Sequence, residues 1–212
     1  MSTALTTTDD SAVSVRETLS AGLPAAAPAR PRLLMIGTGF ASAAAMMLMG
    51  GLIGIYVATR NSVIAAGEIW LPSGVVIPLT QPNMMAITMV FSAVIMVWAI
   101  SSLARGDRAM AYVALGLVLL MGFSVIAQTA YLLTIMDLEL ASDVRAPLIY
   151  GVIGSHLAIL GAAMVFVAVM TLRALGGEYS SKDREGVYSA AMFWYVTVFL
   201  YMVLWFTIYI TK

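Results

Sequence analysis

Cysteine is absent from these 212 residues, which excludes disulfides, thiolate catalysis and Cys-ligated metal centres. Histidine occurs once, at His156. A haem or metal site ordinarily needs two or more protein ligands, so the chain offers no cofactor or metal site of its own. Charge is scarce: 10% of the residues are Asp, Glu, Lys or Arg, against about 25% in soluble domains. Five long runs, 33–59, 69–104, 109–136, 146–172 and 186–211, contain none at all. A charge at the bilayer centre costs roughly 3 kcal/mol or more, and such charges usually mark paths for ions or protons. These runs carry no such path. They also lack a nucleophile–base pair, a phosphate loop and an inverted repeat. Net charge is zero, so nothing points to nucleic acid.

What is present is hydrophobic. Apolar residues make up 61% of the chain, and each run is long enough to cross a ~30 Å hydrocarbon layer as a helix of about 20 residues. A transmembrane β-barrel would instead show alternating segments of about ten residues. The predicted fold is all-α: a polytopic membrane protein, a bundle of five transmembrane helices with an N-terminal tail. The tail, 1–31, is rich in Ser, Thr, Ala and Pro and is read as mobile and cytoplasmic. It has no basic segment followed by an apolar one before Arg32, so it is not read as a secretory signal. Residues 32–212 form the membrane domain, with spans at about 33–59, 83–104, 109–136, 146–172 and 187–210.

Pro72, Pro78 and Pro82 argue against continuous helix at the start of the second run. The second span is therefore expected to start near Asn83, leaving 61–82 as an ordered outer loop, with Trp70 at the membrane–water interface. Arg105-Gly106-Asp107-Arg108 reads as a tight polar turn. Eight positive residues (Arg16, Arg30, Arg32, Arg105, Arg108, Arg173, Lys182, Arg184) fall on the side of the N-terminus, and Arg60, Arg145 and Lys212 on the other. The positive-inside rule then gives a cytoplasmic N-terminus and an outer C-terminus in the cell inner (plasma) membrane.

Inside the spans the chemistry is sparse. His156 is expected to hydrogen-bond a neighbouring helix or touch a partner subunit, and Gln128, one turn from Ser124, to join helices. Ala41, Ala43 to Ala45, Gly50, Gly51 and Gly54 form a small-residue stripe suited to close helix approach. The sixteen methionines, Met46, Met47 and Met49 among them, read as core packing. Trp194, Tyr201 and Trp205 are expected to pack against another helix or lipid, and Tyr209 to sit in the interfacial belt.

The order of these features resembles subunit III of the haem–copper oxidases in its short five-helix form, from about residue 33 to the end. Gly51-Leu-Ile-Gly-Ile-Tyr56-Val-Ala-Thr-Arg60 is similar to the family's Gly-Leu-Phe…Tyr…Arg ending, and Trp70-Leu-Pro72…Pro78-Leu79 to the Trp-Pro-rich segment after it. Arg105 to Arg108 matches a turn between family helices. Gln128-Thr-Ala-Tyr131 is similar to a Gln followed by Glu-Tyr, and Gly154-Ser-His156 to the start of a His-rich signature. Trp194 and Ile208-Tyr209-Ile210 resemble the terminal helix. Where the family has ionisable groups, this chain has Ala45, Ala130, Ile159, Tyr195 and Val198, so a carboxylate-dependent proton role is not carried over.

The resemblance implies a non-catalytic accessory subunit of a respiratory terminal oxidase. Haem and copper would reside in partner subunits, above all the catalytic subunit I, and phospholipid would be bound. The chain would support stability and proton uptake. An accessory subunit of a nitric oxide reductase and a small membrane transporter remain alternatives at this point. The residues expected to pack helices or touch partner and lipid are His156, Gln128, Trp70, Arg60, Arg105, Asp107 and Trp194.

Overall fold

Each uncharged run becomes a helix because, in lipid, a helix alone satisfies its backbone polar groups without neighbours. The computed structural model describes residues 32–71, 77–136, 145–176 and 184–211. The tail 1–31, Pro72, the acidic loop with Asp137, Glu139 and Asp143, Lys182 and Lys212 lie outside the described residues. Helix α1 spans Leu33–Ala65, α2 Thr80–Ala104, α3 Arg108–Ile135, α4 Arg145–Leu175 and α5 Glu185–Leu204, the last continuing as a π-helical segment, Trp205–Ile210. All five are long and apolar enough to cross a membrane.

Helix α5 is the hub, packed against α1, α2 and α4; α2 pairs with α3, and α3 leans on α4. Cross-helix bonds fix the directions. The Met35 amide donates to Glu185 Oε1 at 3.2 Å, and Arg60 donates to the Thr211 carbonyl, so α1 and α5 run parallel. The Tyr112 hydroxyl donates to the Ala174 carbonyl at 2.8 Å, joining the start of α3 to the end of α4. Helices α1, α3 and α5 thus begin on one side, called the near side below, and α2 and α4 on the far side.

Helix ends follow local chemistry. Gly67 and Gly106 have φ of 81° and 80°, a conformation that costs glycine little. At each, the glycine amide and the next one return to the last carbonyls, Gly67 to Ile64 with Glu68 to Val63, and Gly106 to Leu103 with Asp107 to Ser102. Both are Schellman endings. Asp107 then caps α3, its Oδ1 accepting from the Met110 amide at 3.1 Å. The turn 105–108 is tight because one residue ends a helix and the next starts another.

The expected limits shift where charge or proline was read as a stop. Helix α1 runs past 59 to Ala65: Arg60 ends the apolar run but not the helix, because its guanidinium reaches the Thr211 carbonyl. The connection after α1 is correspondingly shorter than 61–82. Helix α2 starts at Thr80, not Asn83, since Pro82 falls in the first turn, where a missing N–H is harmless.

The buried face of α1 is Thr38, Ser42, Ala45, Met49 and Tyr56. The glycine stripe lies elsewhere. Gly50, Gly51 and Gly54 are exposed, and a Cβ on any of them would meet nothing within 4 Å. Ala41 and Ala44 are exposed as well. The glycines of the stripe therefore do not pack the bundle; of its alanines, Ala45 lies on the inward arc. The methionines divide likewise: Met49, Met85, Met89 and Met96 are fully buried, while Met46 and Met47 face outward. Unbranched thioethers fill irregular gaps between helices.

Candidate functional site

The deepest node centres on Trp194 of α5, which has no exposed surface. Its Nε1 donates to Ser92 Oγ on α2 at 3.0 Å. Gly122 on α3 makes room: a Cβ there would lie 2.8 Å from Met164 Sδ of α4 and 3.1 Å from Trp194 Cη2. Four helices therefore meet at one indole. Nothing in the sequence singled out Gly122, Ser92 or Met164, since each is an ordinary residue until the fold brings it to Trp194.

His156 lies on the buried face of α4, with Nε2 3.3 Å from the Thr197 carbonyl of α5. Its ring packs 5.2 Å, centre to centre, from that of Tyr201. The Tyr201 hydroxyl donates to the Pro82 carbonyl at 2.9 Å, and Trp205 Nε1 to Asn83 Oδ1 at 2.9 Å. The aromatic side of α5 thus stitches α2 and α4 to the hub. Tyr209 is buried, and the π-helical segment carrying it packs against α2. Gln128 is bonded within its own helix. Its Nε2 donates to Ser124 Oγ within α3, at 3.0 Å, not to another helix.

On the far side, Trp70 is buried. Its Nε1 donates to the Tyr56 hydroxyl at 3.1 Å, with the rings edge to face. Arg145, at the start of α4, donates to the Ile69 and Trp70 carbonyls at 2.5 and 3.2 Å and pairs with Glu68 at 2.6 Å. This arginine ties the segment after α1 to α4. On the near side Arg105 donates to Ser102 Oγ at 3.2 Å. There, an open, mostly apolar groove of about 350 Å³ runs between α1, α4 and α5, lined by Leu33, Gly37, Thr38, Ala162, Phe166 and Phe193 among others. Arg32 immediately precedes it, and the Arg184 guanidinium stacks 5.6 Å from the Tyr188 ring beside Glu185.

These residues do not suit a haem or copper centre. Among the described residues no group of three or more His, Asp or Glu side chains is placed to hold a metal. His156, the sole imidazole, is turned to a carbonyl and an aromatic ring. The site binds helices to one another and offers an apolar groove with cationic residues near its end.

The family model for cytochrome c oxidase subunit III matches residues 33–212. The chain belongs to the cytochrome c oxidase subunit III family. It is 28% identical over 163 residues to cytochrome c oxidase subunit 3 of Xenopus laevis, covering 74% of this chain and 62% of that protein. It is 26% identical over 145 residues to that of Carassius auratus, covering 68% and 56%. The chain thus spans less than two thirds of the length of these curated relatives. Ala45, Ile159 and Val198 are all buried. Each sits in a packed interface where an unpaired charge would be costly.

Proposed function

We propose that this subunit III family member is a non-catalytic, multi-pass component of a respiratory haem–copper oxidase in the cell's plasma membrane. In this reading its N-terminus is cytoplasmic and its C-terminus outside. Haem and copper reside in partner subunits, where oxygen is reduced. The chain supports the stability and proton uptake of the catalytic subunit I and carries bound phospholipid. The observation that carries this reading is the family match across nearly all the membrane-spanning residues. It is supported by spans whose interior holds hydrogen-bonding groups but no described carboxylate beyond Glu185 at the start of α5.

For lipid, the support is the groove between α1, α4 and α5. Its apolar wall suits an acyl chain, and Arg32 and Arg184 nearby suit an anionic headgroup. The test compares oxidase purified with and without this chain. Oxygen consumption should fall faster over successive turnovers when the chain is missing, and phospholipid recovered per haem should drop. Equal sustained rates and equal lipid content would remove the supporting role.

A further inference from the structure

Past Leu204 the winding of α5 changes. Trp205–Ile210 is π-helical, and the Thr211 amide closes on the Phe206 carbonyl, five residues back, at 3.1 Å. Such turns are rare, and inside α-helices they frequently mark functional places. The α-helix is the ordinary winding, so the wider turn needs contacts that hold it. Two come from α1. Arg60 donates to the Thr211 carbonyl, and Tyr56, one turn before Arg60 on the same face, lies within electrostatic reach of the Tyr209 phenol. A third comes from α2, where Asn83 Oδ1 accepts from Trp205 Nε1 at 2.9 Å.

The winding decides where Tyr209 points. In an α-helix, positions about seven apart fall on one line, so an α-helical continuation would set Tyr209 over Met202, which is partly exposed. The π segment takes up about one extra residue and sets Tyr209 over Tyr201 instead. Tyr201 is 2% exposed and Tyr209 1%, and the two phenols interact electrostatically. Ile208 behaves differently. It falls over Tyr201 in the α winding and over Leu200 in the π winding, and both of those residues are buried.

Hydroxyls take the acceptors that the π winding leaves. Thr211 Oγ1 donates to the Thr207 carbonyl at 2.6 Å, and Thr207 Oγ1 to the Val203 carbonyl at 2.8 Å. In an α-helix the amides of these same two threonines would take those carbonyls. Thr129 and Thr171 make the same hydroxyl bond in unbroken α-helix, so the hydroxyls allow the π turn without imposing it. The Arg60 guanidinium is what sets this helix end apart.

We propose that Arg60 is a latch on a two-state helix end. Its bond to Thr211 holds the last turn of α5 in the π form, with Tyr209 inside the bundle. When the bond opens, the turn rewinds as α-helix and carries Tyr209 round to the partly exposed line of Met202. The phenol then reaches the far-side membrane surface, an environment that suits tyrosine. The latch stands apart from the subunit III assignment, since it rests on the winding of α5 and on what α1 holds.

The experiment uses the full chain in its native membrane complex. The chain has no cysteine, so Tyr209→Cys and Ile208→Cys each give a single thiol for a small maleimide. Both are made with Arg60 intact and with Arg60→Lys or Arg60→Gln. The thiol at position 209 should react about tenfold faster with Arg60→Gln than with Arg60, since a minor state is at most about 10% populated. Arg60→Lys, which can still donate to a carbonyl, should keep most of the protection. The thiol at position 208 should stay protected throughout. With Tyr209 intact, a density map of Arg60→Gln should show the Thr211 amide on the Thr207 carbonyl. Equal rates at position 209 with Arg60 and Arg60→Gln would overturn the latch. So would thiols at 208 and 209 becoming reactive together, because the end would then unravel instead of rewinding. A Thr211 amide still on Phe206 without the guanidinium would overturn it as well.

Discussion

The indole of Trp194 and the hydroxyl of Ser92 are bonded at 3.0 Å across α5 and α2, at the level where Gly122 and Met164 bring α3 and α4 to the same ring. The bond is directional. Trp194 donates, and the Ser92 hydroxyl in turn donates to the Met89 carbonyl. Removing the acceptor therefore strands a buried N–H, whereas removing the donor leaves a hydroxyl that still has a use. Ser92→Ala should cost about 1–3 kcal/mol, and Trp194→Ala about 3–5 kcal/mol because it also opens a large cavity. Melting of the purified protein in one detergent checks both the sign and the order.

Gly122 gives a steric prediction. A methyl at this position would press on Met164 Sδ at 2.8 Å and Cγ at 3.0 Å, so Gly122→Ala should destabilise by about 1–3 kcal/mol. Gly116, on the same helix with nothing within 4 Å, is the control, and Gly116→Ala should be neutral or mildly stabilising. Adding Met164→Ala should recover part of the Gly122→Ala loss. Equal melting temperatures for the two glycine variants would contradict the packing described.

Arg145 holds two carbonyls and one carboxylate, and the carboxylate side chain is 62% exposed. An exposed ion pair is worth at most about 1 kcal/mol. Glu68→Gln should therefore change little, while Arg145→Gln should free the segment at 68–70. Amide exchange there should accelerate in the arginine variant and stay near wild type in the glutamine-for-glutamate one. The reverse order would mean that the ion pair, not the carbonyl bonds, ties down this segment.

Much of this architecture was legible in the sequence because membrane insertion is governed by long apolar runs and the residues that interrupt them. Helix number, the Gly106–Asp107 turn and the role of Trp194 as a packing residue could be read from local pattern. The position of Trp70, the outward face of Gly50, Gly51 and Gly54, and the inward place of Tyr209 could not. A nearly uniform apolar helix carries no polar face to say which side points to lipid, so small residues and aromatics alone do not fix its rotation. Gln128 shows the same limit, since a neighbour one turn away in its own helix competed with every partner across the bundle. Gly122 was illegible for another reason: its requirement for a missing Cβ exists only once Met164 and Trp194 are beside it.

The charge-free spans make a chemical prediction. A membrane-permeant carboxyl reagent should leave residues 33–59 and 109–136 unlabelled, since neither stretch contains Asp or Glu. Peptide mapping of the treated protein checks this. Adducts should instead fall on exposed carboxylates outside the spans, such as Glu68; a Glu68 left unlabelled would contradict its exposed place beyond α1.

The absence of cysteine makes orientation straightforward to probe. Single cysteines at Ser14 and Ser62 should react with an impermeant thiol reagent from opposite faces, Ser14→Cys from the cytoplasm and Ser62→Cys from outside. Reaction of both from one face would contradict a crossing by α1, and the opposite assignment would contradict the cytoplasmic N-terminus.

The most direct test of the central claim is the visible spectrum of what this chain brings with it when gently extracted from its native membrane through an affinity tag. A subunit III relative that works beside an oxidase should co-purify with haem bands that shift on reduction with dithionite and respond to carbon monoxide. Recovery of the intact chain as a colourless monomer, with the cell's terminal oxidase left fully in the unbound fraction, would contradict it.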